Sequence, residues 1–169
     1  MKAIQTERLS IVPFDLGYLT DYYNAFDEEI TKYQYPDPFD SVEAAEECLQ
    51  EFINEMDCGE MLFLAILDRE GIFAGGLEVH ELAAEYPELG IWLKKDFQGK
   101  GYAYEALSSV LRYLNQTCQK EWYVYEADIR NKSSIGLVAK FSYRKEGIDE
   151  FTTDSGKELK LQRYLINLP

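Results

Sequence analysis

Apolar residues recur along this chain at two spacings, and each change of spacing marks a new element. RLSIVPF, Arg8–Phe14, alternates well enough to predict a first strand. Leu16, Leu19, Tyr23 and Phe26 then fall at helical spacing behind Asp15, a candidate N-cap. ITKYQYPDPFD, Ile30–Asp40, breaks both periods with prolines and tyrosines and reads as a connection. Ser41 opens a second helix, whose Val42, Ala45, Leu49, Phe52, Ile53 and Met56 share one face. Met61–Leu67 and Gly71–Leu82 are apolar strands joined by Asp-Arg-Glu-Gly, a hairpin signal, and Glu88–Lys95 is a further strand. Ala103, Leu107, Val110, Leu111 and Leu114 mark a third helix, and Glu121–Ile129 alternates as a strand. A short helix over Lys132–Phe141 is weakened by ~1 kcal/mol by Gly136, and Tyr143–Phe151 and Leu159–Asn167 are the last two strands. Seven strands and four helices in this order predict a mixed α/β (α+β) sheet. It is antiparallel at first, with a crossover helix in the middle.

The chain has 169 residues, with no repeat, low-complexity segment or Pro/Gly/Ser linker, so residues 1–169 read as one domain. With 46% hydrophobic and 14% aromatic residues, disorder is excluded as the main state. No apolar run approaches the ~20 residues of a membrane span, and the first residues lack the apolar core of a secretory signal. Three cysteines at wide spacings suit neither a disulfide framework nor a zinc site; they point to a reducing, cytoplasmic setting and to no metal. The net charge of −14 disfavours nucleic acid as a partner. It mildly favours a cationic small molecule or basic peptide, although acidity also serves solubility alone.

The chemistry begins at Gln98-Gly99-Lys100-Gly101-Tyr102-Ala103, which joins a strand to a helix start. The first N–H groups of a helix have no internal partners and its dipole adds positive charge, so such a turn can hold an anion. Gly99 and Gly101 let the amides turn toward a phosphate without obstruction, while Lys100 brings charge and Gln98 a side-chain donor. The segment lacks the G-x-x-x-x-G-K-[ST] pattern of a triphosphate loop and the third glycine of a dinucleotide turn. It also follows a meander, which is the wrong place for the first turn of a dinucleotide fold.

This hexapeptide resembles the Q/R-x-x-G-x-G/A signature of the GNAT superfamily of acyl-CoA-dependent N-acyltransferases. Ile91-Trp92-Leu93 sits where that family keeps its V-x-V strand, and IRNKSSIGLVAKFSYRKEG resembles its following N-x-x-S segment. QTERLSIVPF is similar to the T-E-R-L opening of the branch acting on ribosomal-protein N-termini, polyamines and some antibiotics. The resemblance implies a centrally splayed sheet and acetyl-CoA / coenzyme A as cofactor. The pyrophosphate would lie on the amides of Gln98 to Ala103. The pantetheine arm would pair with Ile91, Trp92 and Leu93 like an added strand, where the strands splay after Leu93, and with Asn131. The Leu93 N–H would then face the thioester oxygen.

Acetyl transfer to an alkylamine, whose pKa is about 10.4, needs a base at neutral pH. Glu88 begins the central strand, where the family often keeps such a glutamate; Glu78 and His80 share one face of the preceding strand and are alternatives. The family's usual acid, a tyrosine seven positions after the asparagine, is Val138 here, and Ser134 matches the serine of the ribosomal branch. Ser134 as a proton donor competes with Ser134 as an ordinary first-turn residue. Ser142 and Tyr143 replace the family's Gly-Phe, and a side chain is less comfortable at a left-handed helix end. For the acceptor, Tyr33, Tyr35, Asp37 and Asp40, with Glu78, could hold an ammonium. The expected activity is N-acetyl transfer to a small-molecule or peptide amine by direct attack, in a monomer or homodimer. A catalytically weak sensor or interaction protein with the same fold is the alternative.

Overall fold

The computed structural model describes residues 1–169. Eight strands make one sheet: β1 (Ile4–Gln5), β2 (Leu9–Pro13), β3 (Leu62–Asp68), β4 (Phe73–His80), β5 (Glu88–Leu93), β6 (Tyr123–Asp128), β7 (Ser142–Thr152) and β8 (Glu158–Asn167). Their spatial order is β1-β2-β3-β4-β5-β6-β8-β7. All pairs are antiparallel except β5 with β6, which the long helix α4 connects. The helices are α1 (Leu19–Ala25), α2 (Glu28–Thr31), α3 (Val42–Cys58), α4 (Tyr102–Thr117) and α5 (Lys132–Val138). No helix is long and apolar enough to cross a membrane.

The near-continuous apolar run of β3 is explained by burial on both faces. Leu64 and Ile66 join α4 and α5 in one core, with Leu107, Leu111, Leu137 and Val138. Phe63, Ala65 and Leu67 point to the other side, where Phe14, Tyr22, Phe26, Leu49 and Trp92 form an aromatic core under α1 and α3. Trp92 meets Tyr22 and Phe26 edge-on, at ring separations of 4.9 and 5.2 Å. Two glycines of β4 are obligatory here: a Cβ on Gly76 would lie 2.8 Å from Trp92 Nε1 under the ring, and one on Gly75 only 2.1 Å from the Trp92 backbone carbonyl oxygen.

Several expectations needed correction. The strand count is eight rather than seven, because β1 has only two residues and too little pattern to be read. There are five helices rather than four, since Asp27 caps a one-turn α2 through the Glu29 and Ile30 amides. Asp15 does cap, but it caps a 3-10 turn, Leu16–Tyr18, ahead of α1. The tighter turn shifts the phase, so Tyr22 is buried and Tyr23 is not. Ser41 caps α3 as expected, accepting from the Ala44 amide at 3.1 Å. Ser142 needs no left-handed conformation, because α5 ends in a right-handed turn at Ala139 and Ser142 already begins β7.

Candidate functional site

The sheet contains an opening. β5 and β6 pair only at Glu88 with Val124 and Leu89 with Tyr125, after which they part. The strands therefore separate from Gly90 onward, and not after Leu93. Each keeps its other partner: β5 is paired with β4 as far as Leu93 opposite Gly75, and β6 with β8 as far as Asp128 opposite Leu161. Main-chain groups alternate sides along a strand. The Lys94 N–H goes to Ala74 on β4 (2.8 Å), so those of Leu93 and Ile91 face the opening. The Leu93 carbonyl on that side accepts from Gln98 Nε2 at 2.8 Å. Of the three residues matched to the V-x-V strand, Ile91 and Leu93 thus present an edge. The Trp92 side chain belongs to the aromatic core instead.

The turn above this opening is built from left-handed glycines, Gly99 at φ +70° and Gly101, the N-cap of α4, at φ +83°. Only glycine takes such angles without strain. The first backbone bond of α4 runs from the Glu105 N–H to Gly101 (3.1 Å). The N–H groups of Tyr102, Ala103 and Tyr104, and of Gly99, Lys100 and Gly101 before them, therefore find no backbone acceptor. Six consecutive donors at the positive end of a helix are a fitting cradle for a diphosphate. The Gln98 N–H is not among them, since it donates to Lys95 (3.1 Å), so the expected set moves one residue along the chain.

On the face shared with α3, register places His80 opposite Glu88 and Glu78 opposite Gly90. His80 Nε2 lies 3.3 Å from Glu78 Oε2, and this bond raises the imidazole above its usual pKa against the opposing effect of burial. Glu88 is also raised, first by burial and then by the nearby Glu126 charge; His80 and Arg163 counter this in part. Glu126 is itself held by Arg163 at 3.1 Å. The three candidates for a base are brought together, in a half-buried setting that makes Glu88 a stronger base than a free carboxylate.

Asn131 caps α5, its side-chain oxygen accepting from the Ser134 N–H (3.1 Å), which leaves its amide N–H₂ free to donate. Ser134 Oγ is 2.8 Å from the hydroxyl of Tyr125, a buried β6 residue whose pKa burial raises despite that bond. Val138 is buried in the core. The acceptor candidates divide into two groups. Tyr33 lies near Arg130, 5.5 Å from ring centroid to guanidinium carbon, beyond the far end of β6 from Glu88. Tyr35 is exposed and touches Phe151 at 5.3 Å. Asp37 is not available as a free charge, because Lys157 Nζ (2.6 Å) and Ser155 Oγ (2.8 Å) hold its carboxylate. Asp40 is exposed at the approach to α3. Glu78, by contrast, sits with His80 and Glu88.

Three groups escaped the sequence reading. Tyr125 looks like one more aromatic on an alternating strand. Asp128 looks like a polar strand end, yet it is fully buried. Glu105 reads as a helix surface residue, yet it is tied to Thr6 and Arg8 of the T-E-R-L segment. That segment was the one available signal for the last.

Residues 8–144 match a family model described as an acetyltransferase (GNAT) domain. An uncharacterized N-acetyltransferase, p20, of Bacillus licheniformis is 28% identical over 155 residues, covering 88% of this chain and 85% of its own. Among solved structures, RimL, a ribosomal L7/L12 alpha-N-protein acetyltransferase in complex with coenzyme A, superposes with a TM-score of 0.85 at 17% identity. That match covers 99% of this chain and 98% of the other. A spermidine N-acetyltransferase from Vibrio cholerae, in complex with CoA and spermine, gives 0.80 at 18% identity over 96% and 97% of the two chains.

Proposed function

The chain belongs to the GNAT acetyltransferase family, and from that premise we propose that it transfers an acetyl group from acetyl-CoA to a primary amine by direct attack in a ternary complex. The observation that carries this reading is the coincidence of the opening after Leu89 with the cradle of acceptor-free amides at Gly99–Tyr104. The cradle would hold the pyrophosphate, and the Ile91 and Leu93 main chain, with Asn131, would hold the pantetheine arm. The cofactor supplies an activated acyl group when bound. Glu88, directly or through a water, takes a proton from the incoming ammonium, and the Leu93 N–H faces developing negative charge. Ser134, hydrogen-bonded to Tyr125, stands in for the absent tyrosine acid. The acceptor is a small-molecule or peptide amine; Glu78 beside His80 and Glu88 supports a cationic one.

Calorimetric titration tests the cofactor assignment. Acetyl-CoA should bind while ATP and NAD, in separate runs, do not, and a thiol-release screen over polyamines, aminoglycosides and peptides should then find the amine. No heat and no thermal shift with acetyl-CoA would leave the fold without the activity.

Glu88→Gln should lower kcat about 100-fold, the scale of lost general-base catalysis, with coenzyme A affinity unchanged. The sign follows from the raised carboxyl pKa. The wild-type rate should fall as pH drops through that elevated value and protonates the base, and this acid limb should vanish in Glu88→Gln. A limb that survives would assign the base to another group.

A further inference from the structure

The T-E-R-L segment reaches the glycine turn through one side chain. Arg8 Nε and Nη2 both contact Glu105 Oε2 at 2.7 Å, and Arg8 Nη1 donates to the Lys100 carbonyl at 2.9 Å. The guanidinium lies on the Tyr102 ring, 4.4 Å from its centroid. Its Nη2 passes 3.5 Å from where a Cβ of Gly101 would stand. The other Glu105 oxygen accepts from Thr6 Oγ1 (2.6 Å) and the Arg8 N–H (2.7 Å). The hydrogen bonds, ion pair and ring contact of Arg8 are therefore all with Lys100, Tyr102 and Glu105, within and just after the stretch 99–104 whose amides form the cradle.

Two consequences follow from elementary geometry and charge. In a planar trans peptide the C=O and the next N–H point in opposite directions. By holding the Lys100 carbonyl, Arg8 fixes the direction of the Gly101 N–H, which has no acceptor in the protein. Glu105, in the first turn of α4, puts a carboxylate close to a site meant for a dianion, where unit charges a few ångströms apart repel appreciably. Burial opposes the ionised form of Glu105, but the Thr6 and Arg8 hydrogen bonds outweigh it and keep the group charged. Arg8 supplies the compensating charge.

We propose that Arg8 is a positioning residue for the cofactor's diphosphate: it orients the Lys100–Gly101 peptide and cancels the charge of Glu105. This rests on the coenzyme A reading of the turn. The test compares wild type, Arg8→Met, Glu105→Gln and the double variant by calorimetry with coenzyme A, by apo-protein melting and by steady-state kinetics. Arg8→Met should weaken coenzyme A binding at least tenfold and raise the acetyl-CoA KM alike, with kcat and the amine KM within about twofold. The double variant should bind more tightly than Arg8→Met, because removing the uncompensated carboxylate relieves repulsion. A merely structural latch predicts the reverse, a double variant at least as weak as either single one. Unchanged coenzyme A affinity in a folded Arg8→Met protein overturns the proposal while leaving the site assignment intact. Absence of coenzyme A binding in the wild type overturns both.

Discussion

Asp128→Ala should unfold with about 3 kcal/mol less free energy than the wild type, and melt roughly 10 °C lower. The carboxylate is fully buried and accepts four hydrogen bonds. Two come from the Arg130 side chain at 2.7 and 2.8 Å, and two from the Arg130 and Lys160 amides at 2.9 and 3.0 Å. Burial alone would raise its pKa, but these donors and the guanidinium charge together hold it at about 2. A depressed carboxyl pKa means stability that is fully present above the unfolded value near 3.9 and is lost as pH falls through about 2. Asp128→Asn should therefore lack a contribution of about 2 kcal/mol that the wild type loses between pH 4 and pH 2. Chemical denaturation at pH 7 and pH 3 reads both effects. A melting change below about 2 °C in Asp128→Ala would show that solvent satisfies the two amides. The site should suffer too, since the carboxylate's bond from the Arg130 N–H shapes the turn in which the Asn131 N–H reaches the Asp128 carbonyl (2.8 Å) at the start of α5.

Gly101→Val should weaken coenzyme A binding about 100-fold, equivalent to ~2.7 kcal/mol, while the protein stays folded. Room for the Cβ is not the obstacle, because the nearest atom to it is Arg8 Nη2 at 3.5 Å, an ordinary contact. The obstacle is the backbone at φ +83°, which a β-branched residue cannot hold without strain. The chain relaxes by turning the peptide, and the amides of the cradle then diverge. Gly99→Ala, at φ +70° with nothing within 4 Å of its Cβ, should lose less. Calorimetry with a parallel thermal melt separates lost binding from lost fold. Normal affinity in folded Gly101→Val would place the diphosphate elsewhere.

Much of this was legible because local rules and the final packing agree. The long helices α3 and α4 follow their apolar spacing within a residue or two, and Ser41 caps where its side chain predicts. The glycine turn could be read because φ above zero and a helix start leave a compositional mark. Apart from β1 and α2, which are too short to leave a pattern, the misses are matters of distance or phase. Tyr23 was expected inward and Tyr22 is, because one 3-10 turn shifts the helical phase. The point where β5 and β6 part depends on β8 and β4 holding them from outside, and nothing in Glu88–Leu93 alone records it. Glu105 and Arg8 are 97 residues apart, so their pairing is a property of the fold. Asp37 looked like a free acceptor charge because its partner Lys157 comes from the distant β7–β8 turn.

The position of β8 between β6 and β7 decides what holds the far wall of the cleft in place. β6 touches β5 at two residue pairs and β8 at six, so the wall of the opening formed by β6 is secured chiefly by the last strand in chain order. Strands β2 to β5 pair with their neighbours as a meander, and one face of that meander is covered by the later helices α4 and α5. The cleft has a firm second wall only where residues 158–167 lie beside β6. A substitution that loosens β8 should therefore widen the cleft from a distance, without touching any residue of the diphosphate turn.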